Sequence, residues 1–189
     1  MLFALPTLVG LILLGRLDAL VTLPFEFRPL AASFGDRGNA AFCLIAAIGG
    51  MIAGAGLLAL RHRLGGRPFS LGTIDALLPR DRAELLHAAL LSIGAGVAEE
   101  LFFRLLAPLL IGAVTGNALL GFGLATVLFA AAHRYQGWVG MSATLVLGGL
   151  FACFYLATGD LWAAMLLHIA LNLVALVLRP ALTGAWRRV

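Results

Sequence analysis

Apolar runs of about twenty residues follow one another along most of this chain, and that repetition constrains its fold more than any other feature. They fall near residues 2 to 23, 40 to 60, 87 to 112, 117 to 134, 138 to 158 and 160 to 178. A helix of about 20 residues rises about 30 Å, the thickness of a bilayer's hydrocarbon core. In lipid only helices and closed barrels satisfy their own backbone polar groups, and unbroken apolar runs select the helix. The expected fold is all-α, a polytopic transmembrane bundle of about six spans. Composition agrees: 62% of the 189 residues are hydrophobic and 12% charged, against about half and a quarter in soluble domains. Arg16 and Asp18 interrupt the first run, so five spans is the alternative. The stretch from Met1 lacks a basic leader and reads as a span, not a cleaved signal.

The charges orient the bundle. The net charge of +4 arises from thirteen arginines, with no lysine, set against nine acids. They are spread over short loops, which argues against a nucleic-acid partner. With both termini on one side of six spans, that side receives Arg61, Arg63, Arg67, Arg80, Arg82, Arg134, Arg179, Arg187 and Arg188. The other side receives Arg28 and Arg37. The positive-inside rule then places both termini and the 61 to 86 connection in the cytoplasm, with Trp138 and Trp162 near span ends. The absence of lysine beside abundant Ala, Gly, Leu and Arg suggests a bacterial inner membrane. Asp81 to Glu84, after Pro79, is suited to start the third helix, with acids at the positive end of its dipole. Cys43 and Cys153 lie in apolar runs and read as small buried hydrophobes. Gly94, Gly96, Gly148 and Gly149 read as close helix packing.

The third run contains Gly96-Val97-Ala98-Glu99-Glu100-Leu101-Phe102-Phe103-Arg104. A central charge costs about 2.5 to 3.5 kcal/mol on insertion, while each large aliphatic residue or Phe returns about 0.3 to 0.6 kcal/mol. Three charges therefore outweigh the eleven Leu, Ile, Phe and Val between 88 and 110. These groups must face other helices, water or each other, and intramembrane charges are functional candidates by default. Glu100 and Arg104, four apart, share a helix face in the order that favours an ion pair. Glu99 points about 100° away and is left without that partner.

Two further polar groups follow. Phe129-Ala130-Ala131-Ala132-His133 ends the fourth run, and His168-Ile169-Ala170-Leu171-Asn172 lies in the sixth, with His168 and Asn172 on one face. Helical rise places Glu99 about 20 Å from the outer end of its span and His133 about 24 Å from that of its own. His168 and Asn172 lie about 12 to 18 Å in. These depths are compatible with one cavity between spans three, four and six.

The ordered set Glu-Glu-x-x-x-Arg, Phe-x-x-x-His and His-x-x-x-Asn resembles the CPBP intramembrane proteases, the family that includes the CAAX prenyl endopeptidases and the bacteriocin-immunity (ABI) proteins. Leu105 stands where that family often has glycine. The resemblance covers residues 95 to 175. It implies a glutamate-type peptidase in which Glu99 and His133 activate water, His168 and Asn172 stabilise the oxyanion, and Glu100 and Arg104 hold the site together. It further implies two parts, N-terminal helices and connection over 1–80 and a catalytic core over 81–189. The expected partners are membrane lipid and a protein or peptide substrate reached from the cytoplasmic side. No cofactor is expected.

Three other readings compete. A zinc peptidase would use the same Glu and His, but no His-Glu-x-x-His is present. An ion-coupled transporter would use them as a proton relay, but the chain shows no repeated halves. A non-catalytic immunity or scaffold protein would not need every polar position filled.

Overall fold

A computed structural model describes residues 3–34, 39–65, 74–184 and 186. Arg37, Arg67, Arg187 and Arg188, used above for orientation, and residues 66–73 of the connection lie outside them. Among the described residues every regular element is helical.

The first expected run does not form one long helix. Helix α1 covers only Ala4–Leu13, ten residues, and ends before Gly15, whose φ of +64° breaks the helical path. Arg16 then turns to Glu26 as a two-pronged ion pair, with Nη2 donating to Oε2 at 2.9 Å and Nη1 meeting Oε1. A charged group that finds its partner ten residues away folds the chain back on itself. The short helix α2, Arg28–Ala32, follows this return. Trp162 Nε1 donates to the Leu20 carbonyl at 2.9 Å and ties the segment to the later helices.

Helix α3, Ala40–Arg63, is capped by Asn39, whose side chain accepts from Phe42 N at 3.1 Å. Helix α4, Leu85–Glu100, starts as the acids predict. Asp81 Oδ1 accepts from the backbone of Ala83 at 2.8 Å and Glu84 at 3.2 Å, over a turn at Arg82–Glu84. Helix α5, Ala107–Thr115, turns into α6, Ala118–Ala132; helix α7, Gly137–Thr158, turns into α8, Leu161–Leu173; and α9 is Arg179–Thr183. Both turns use one device. Gly116 (φ +68°) and Gly159 (φ +69°) close the preceding helix in the left-handed region, and Asn117 and Asp160 cap the next one.

Three stretches are long and apolar enough to cross a membrane: Ala41–Arg63, Arg134–Thr158 and Leu161–Thr183. The protein is therefore an integral membrane protein. Ala4–Leu13 and Ala118–Ala132 are shorter apolar helices. The stack of α4 and α5 is continuous from 85 to 115 but carries Glu99, Glu100 and Arg104.

That continuity hides an irregularity. Leu101–Leu106 joins α4 to α5 as a π-helical segment, and Val174–Leu178 joins α8 to α9 in the same way. Each segment ends two residues before a proline, Pro108 and Pro180. A proline inside a helix has no N–H to give and its ring presses on the carbonyl four residues back. A wider turn before it relieves that pressure without breaking the rod.

The glycine pairs divide. A Cβ on Gly96 would sit 2.6 Å from Ile169 Cγ1 and 2.9 Å from its backbone nitrogen, and one on Gly148 would sit 2.9 Å from Phe129 Cδ1. Gly94 and Gly149 face open space. Close packing thus explains one member of each pair. Cys43 is half-buried and Cys153 exposed, so neither is the fully buried hydrophobe expected. Both sit on stretches long and apolar enough to cross a membrane.

Candidate active site

The close approach at Gly96 brings α4 against α8, one turn before the glutamate pair on one helix and beside His168 on the other. Glu100 and Arg104 are wholly buried there. Arg104 Nε lies 3.3 Å from Glu100 Oε2, and Nη2 donates to the Gly148 carbonyl at 3.3 Å. The guanidinium is also sandwiched between rings, 4.5 Å from the centroid of Phe129 and 5.6 Å from that of Phe151. The expected Glu100–Arg104 pair is present, although a π-helical turn begins between its members.

Glu100 has a second partner that the spacing did not reveal. His168 Nδ1 lies 2.7 Å from Glu100 Oε1, a distance that fits a charge-assisted hydrogen bond. Arg104, Glu100 and His168 therefore form one chain of polar contacts from α4 to α8. The imidazole is fixed by it, with Nε2 turned the other way.

Glu99 lies on that other side. Its Oε2 is 3.8 Å from His168 Nε2 and 3.9 Å from His133 Nε2, and its side chain is 19% exposed. His133 Nδ1 lies 2.8 Å from the Phe129 carbonyl, which can only accept, so Nδ1 carries the proton and Nε2 presents a lone pair in the neutral ring. Separations of 3.8 to 3.9 Å are too long for direct hydrogen bonds.

These groups open onto a cavity of about 470 Å³. Glu99, His133, His168 and Asn172 all line it, so the four residues assigned to chemistry from sequence meet in one space. Met51 and Ala55 of α3, Leu91 of α4, and Ile74 and Leu77 of the connection supply apolar walls. The cavity is thus closed partly by the segment over 1–80 and not by the later helices alone. Among the described residues no group of three or more His, Cys, Asp and Glu is arranged to hold a metal ion.

Sequence reasoning named Phe129 only as the first residue of the Phe-x-x-x-His motif, without a role, and did not single out Phe151. Phe129 does three things: its carbonyl fixes His133, its ring faces Arg104, and it packs 6.0 Å from His168 centroid to centroid. The Phe-x-x-x-His spacing was the available signal, because a residue four before a histidine offers its carbonyl to that ring. Phe151 lies 5.0 Å from His168 and had no comparable signal.

Residues 81–174 match a family model described as Type II CAAX prenyl endopeptidase Rce1-like. The matched stretch opens at the Asp81 cap and closes two residues after Asn172, so it contains all six polar residues of the site. The family implies a membrane-embedded protease, hence a hydrolase. No curated protein and no solved structure matches the chain.

Proposed function

We propose, from the membership of residues 81–174 in the type II CAAX prenyl endopeptidase family, that this protein hydrolyses a peptide bond of a membrane-associated protein or peptide by carboxylate-activated water. The observation that carries the reading is the division of labour within the glutamate pair. Glu100 is consumed by Arg104 and His168, while Glu99 faces the cavity beside two imidazole nitrogens.

In this mechanism a water bridges Glu99 and His133. Glu99 takes a proton as the water oxygen bonds to the scissile carbonyl carbon, and the lone pair of His133 Nε2 holds the remaining O–H in line. The carbonyl electrons move to oxygen. His168 Nε2 and the Asn172 amide donate to that oxyanion. Because His168 Nδ1 already donates to Glu100, donation from Nε2 requires the imidazolium, for which Glu100 is the counter-ion. Collapse breaks the C–N bond, and the proton held by Glu99 passes to the leaving amine. No acyl-enzyme forms.

The same reading assigns residues 81–189 to the catalytic core and 1–80 to helices that complete the cavity. It places both termini in the cytoplasm of a bacterial inner membrane and has the substrate enter from that side, which the arginine distribution supports. The mechanism needs no metal.

Cleavage by single alanine variants tests the assignment. Glu99→Ala and His133→Ala are expected to lose at least about a hundredfold in kcat while remaining folded. Full activity in either variant overturns the mechanism.

A further inference from the structure

A buried serine or threonine on a helix commonly gives its hydroxyl to the carbonyl four residues back. Thr7 Oγ1 lies 2.7 Å from the Phe3 carbonyl, and Ser92 Oγ lies 2.7 Å from that of Ala88. The less buried Thr158 does the same at 2.8 Å. Thr144 of α7 departs from this pattern. It is only 7% exposed, yet its hydroxyl has no hydrogen-bond partner among the described residues. Its oxygen is not sealed within protein, and the residue lines the cavity that holds Glu99. A buried hydroxyl without a partner costs free energy, which a ligand that supplies the partner recovers.

The face of α7 that carries Thr144 fronts the site. Gly148, four residues on, gives its carbonyl to Arg104, and Phe151, seven residues on, packs against His168. Seven residues rise about 10 Å, so Thr144 stands about two turns away from the level of His168 along the cavity wall. A peptide in an apolar cavity brings backbone N–H and carbonyl groups that need partners once water is gone. In the mechanism above, Glu99, His133, His168 and Asn172 serve the cut bond. Of the other polar groups in the wall, Ser92 is committed to Ala88, Gln136 donates to the exposed Tyr135 at 3.2 Å, and Arg179 has a partner of its own. We propose that Thr144 is a substrate-binding residue whose hydroxyl hydrogen-bonds the backbone of a peptide lying in the cavity, away from the cut bond. The nature of the occupant rests on the peptidase reading; the contact itself is tested without cleavage.

Fluorescence anisotropy with the full chain in detergent tests it, in a Glu99→Gln background that keeps the probe intact. The probes are a dye-labelled, end-blocked pentapeptide of Leu, Val, Ile, Leu and Met and a set of analogues, each with one amide replaced by an ester. The ester removes an N–H and weakens the carbonyl as an acceptor. At least one ester is expected to weaken binding by about fivefold, and Thr144→Val to weaken binding of the parent peptide by about as much. In Thr144→Val the gap between parent and that ester should close, while Thr144→Ser should bind within about threefold of the unchanged residue. Thr144→Val should melt at or above the temperature of its parent, since it removes an unpaired hydroxyl. Binding untouched by Thr144→Val, binding lost together with thermal stability, or a serine variant that behaves like valine overturns the proposal. So does an ester effect that survives Thr144→Val, the absence of any ester effect, or no binding of any probe. Cleavage of the parent peptide with Glu99 restored is read separately. Thr144-dependent binding without Glu99-dependent cleavage would sink the peptidase reading and leave Thr144 its contact. Glu99-dependent cleavage with kcat/KM unchanged by Thr144→Val would sink the contact and leave the reading.

Discussion

His168 Nδ1 and Glu100 Oε1 lie 2.7 Å apart, across the contact between α8 and α4 that Gly96 makes possible. The second glutamate is therefore tied to the first by a shared imidazole: one nitrogen of His168 faces Glu100, and the other faces Glu99. Changes to Glu100 should reach the chemistry through that ring.

Glu99→Gln should abolish cleavage with little change in thermal unfolding, because Glu99 is partly exposed and holds no direct hydrogen bond among those described. Glu100→Gln should cost about 3 to 5 kcal/mol of stability, since it leaves Arg104 buried without its counter-ion. Unfolding midpoints in detergent measured alongside cleavage separate the two. Equal stability loss in both variants would contradict the asymmetry.

Replacing both members of the buried pair by apolar residues of similar size should be milder than replacing one. Glu100→Leu with Arg104→Met removes two desolvated charges together. The double variant is expected to melt above Glu100→Leu alone and to remain inactive, because His168 has lost its anchor. A double-mutant cycle on unfolding free energy checks this.

Gly96→Ala should push α4 from α8, because its Cβ would fall 2.6 Å from Ile169 Cγ1 and against backbone. The expected cost is about 1 to 3 kcal/mol of stability. Misplacement of reacting groups by about 1 Å lowers activity by about a hundredfold. Gly94→Ala, which meets open space, is the control and should leave both quantities near wild type.

Glu26 lies outside the three membrane-crossing stretches, and the hydrogen bond from Arg16 holds its carboxyl below the ordinary glutamate range. Its folded value is depressed, so its contribution to stability is complete above the unfolded value of about 4.3 and is lost as pH falls through the folded one. Melting profiles from pH 6 downward should show wild type losing stability over that window, with Glu26→Gln flatter. A parallel fall in both would assign the acid sensitivity elsewhere.

Purified protein should cleave in the presence of a chelator as well as in its absence. Stoichiometric zinc with chelator-sensitive cleavage would replace the water activation proposed for Glu99 and His133 by metal chemistry.

The charged residues at the heart of the site were legible from sequence because charge inside an apolar run is costly and must be matched. That cost singled out Glu99, Glu100 and Arg104, and helical spacing paired the last two. Arg16 and Asp18 marked an interruption of the first run, but hydropathy does not register that Gly15 bends the chain or that Arg16 finds Glu26 ten residues away, so the extent of its helix was not legible. The Glu100–His168 bond was hidden for a different reason. It links positions 68 residues apart, which the close approach of α4 and α8 at Gly96 brings together. Arg179 was counted as an orienting charge, and nothing in its sequence surroundings marks it as lining the cavity.

A helical turn wound with i→i+5 bonds holds one residue more than its α counterpart, so every side chain after it is advanced by about 100°. Leu101–Leu106 is such a phase slip, placed immediately after Glu100. The stripe that faces protein before residue 101 is accordingly not the stripe continued by a uniform 3.6 period after it. Removal of one residue from 101–106 would let the segment rewind as a plain α turn and leave α5 in the orientation that holds Pro108 in its close contact with Gly121. A further residue inserted there would instead have to turn α5 about its axis by about 100°, so insertion should be less tolerated than a single deletion, although the segment is composed almost wholly of interchangeable apolar residues.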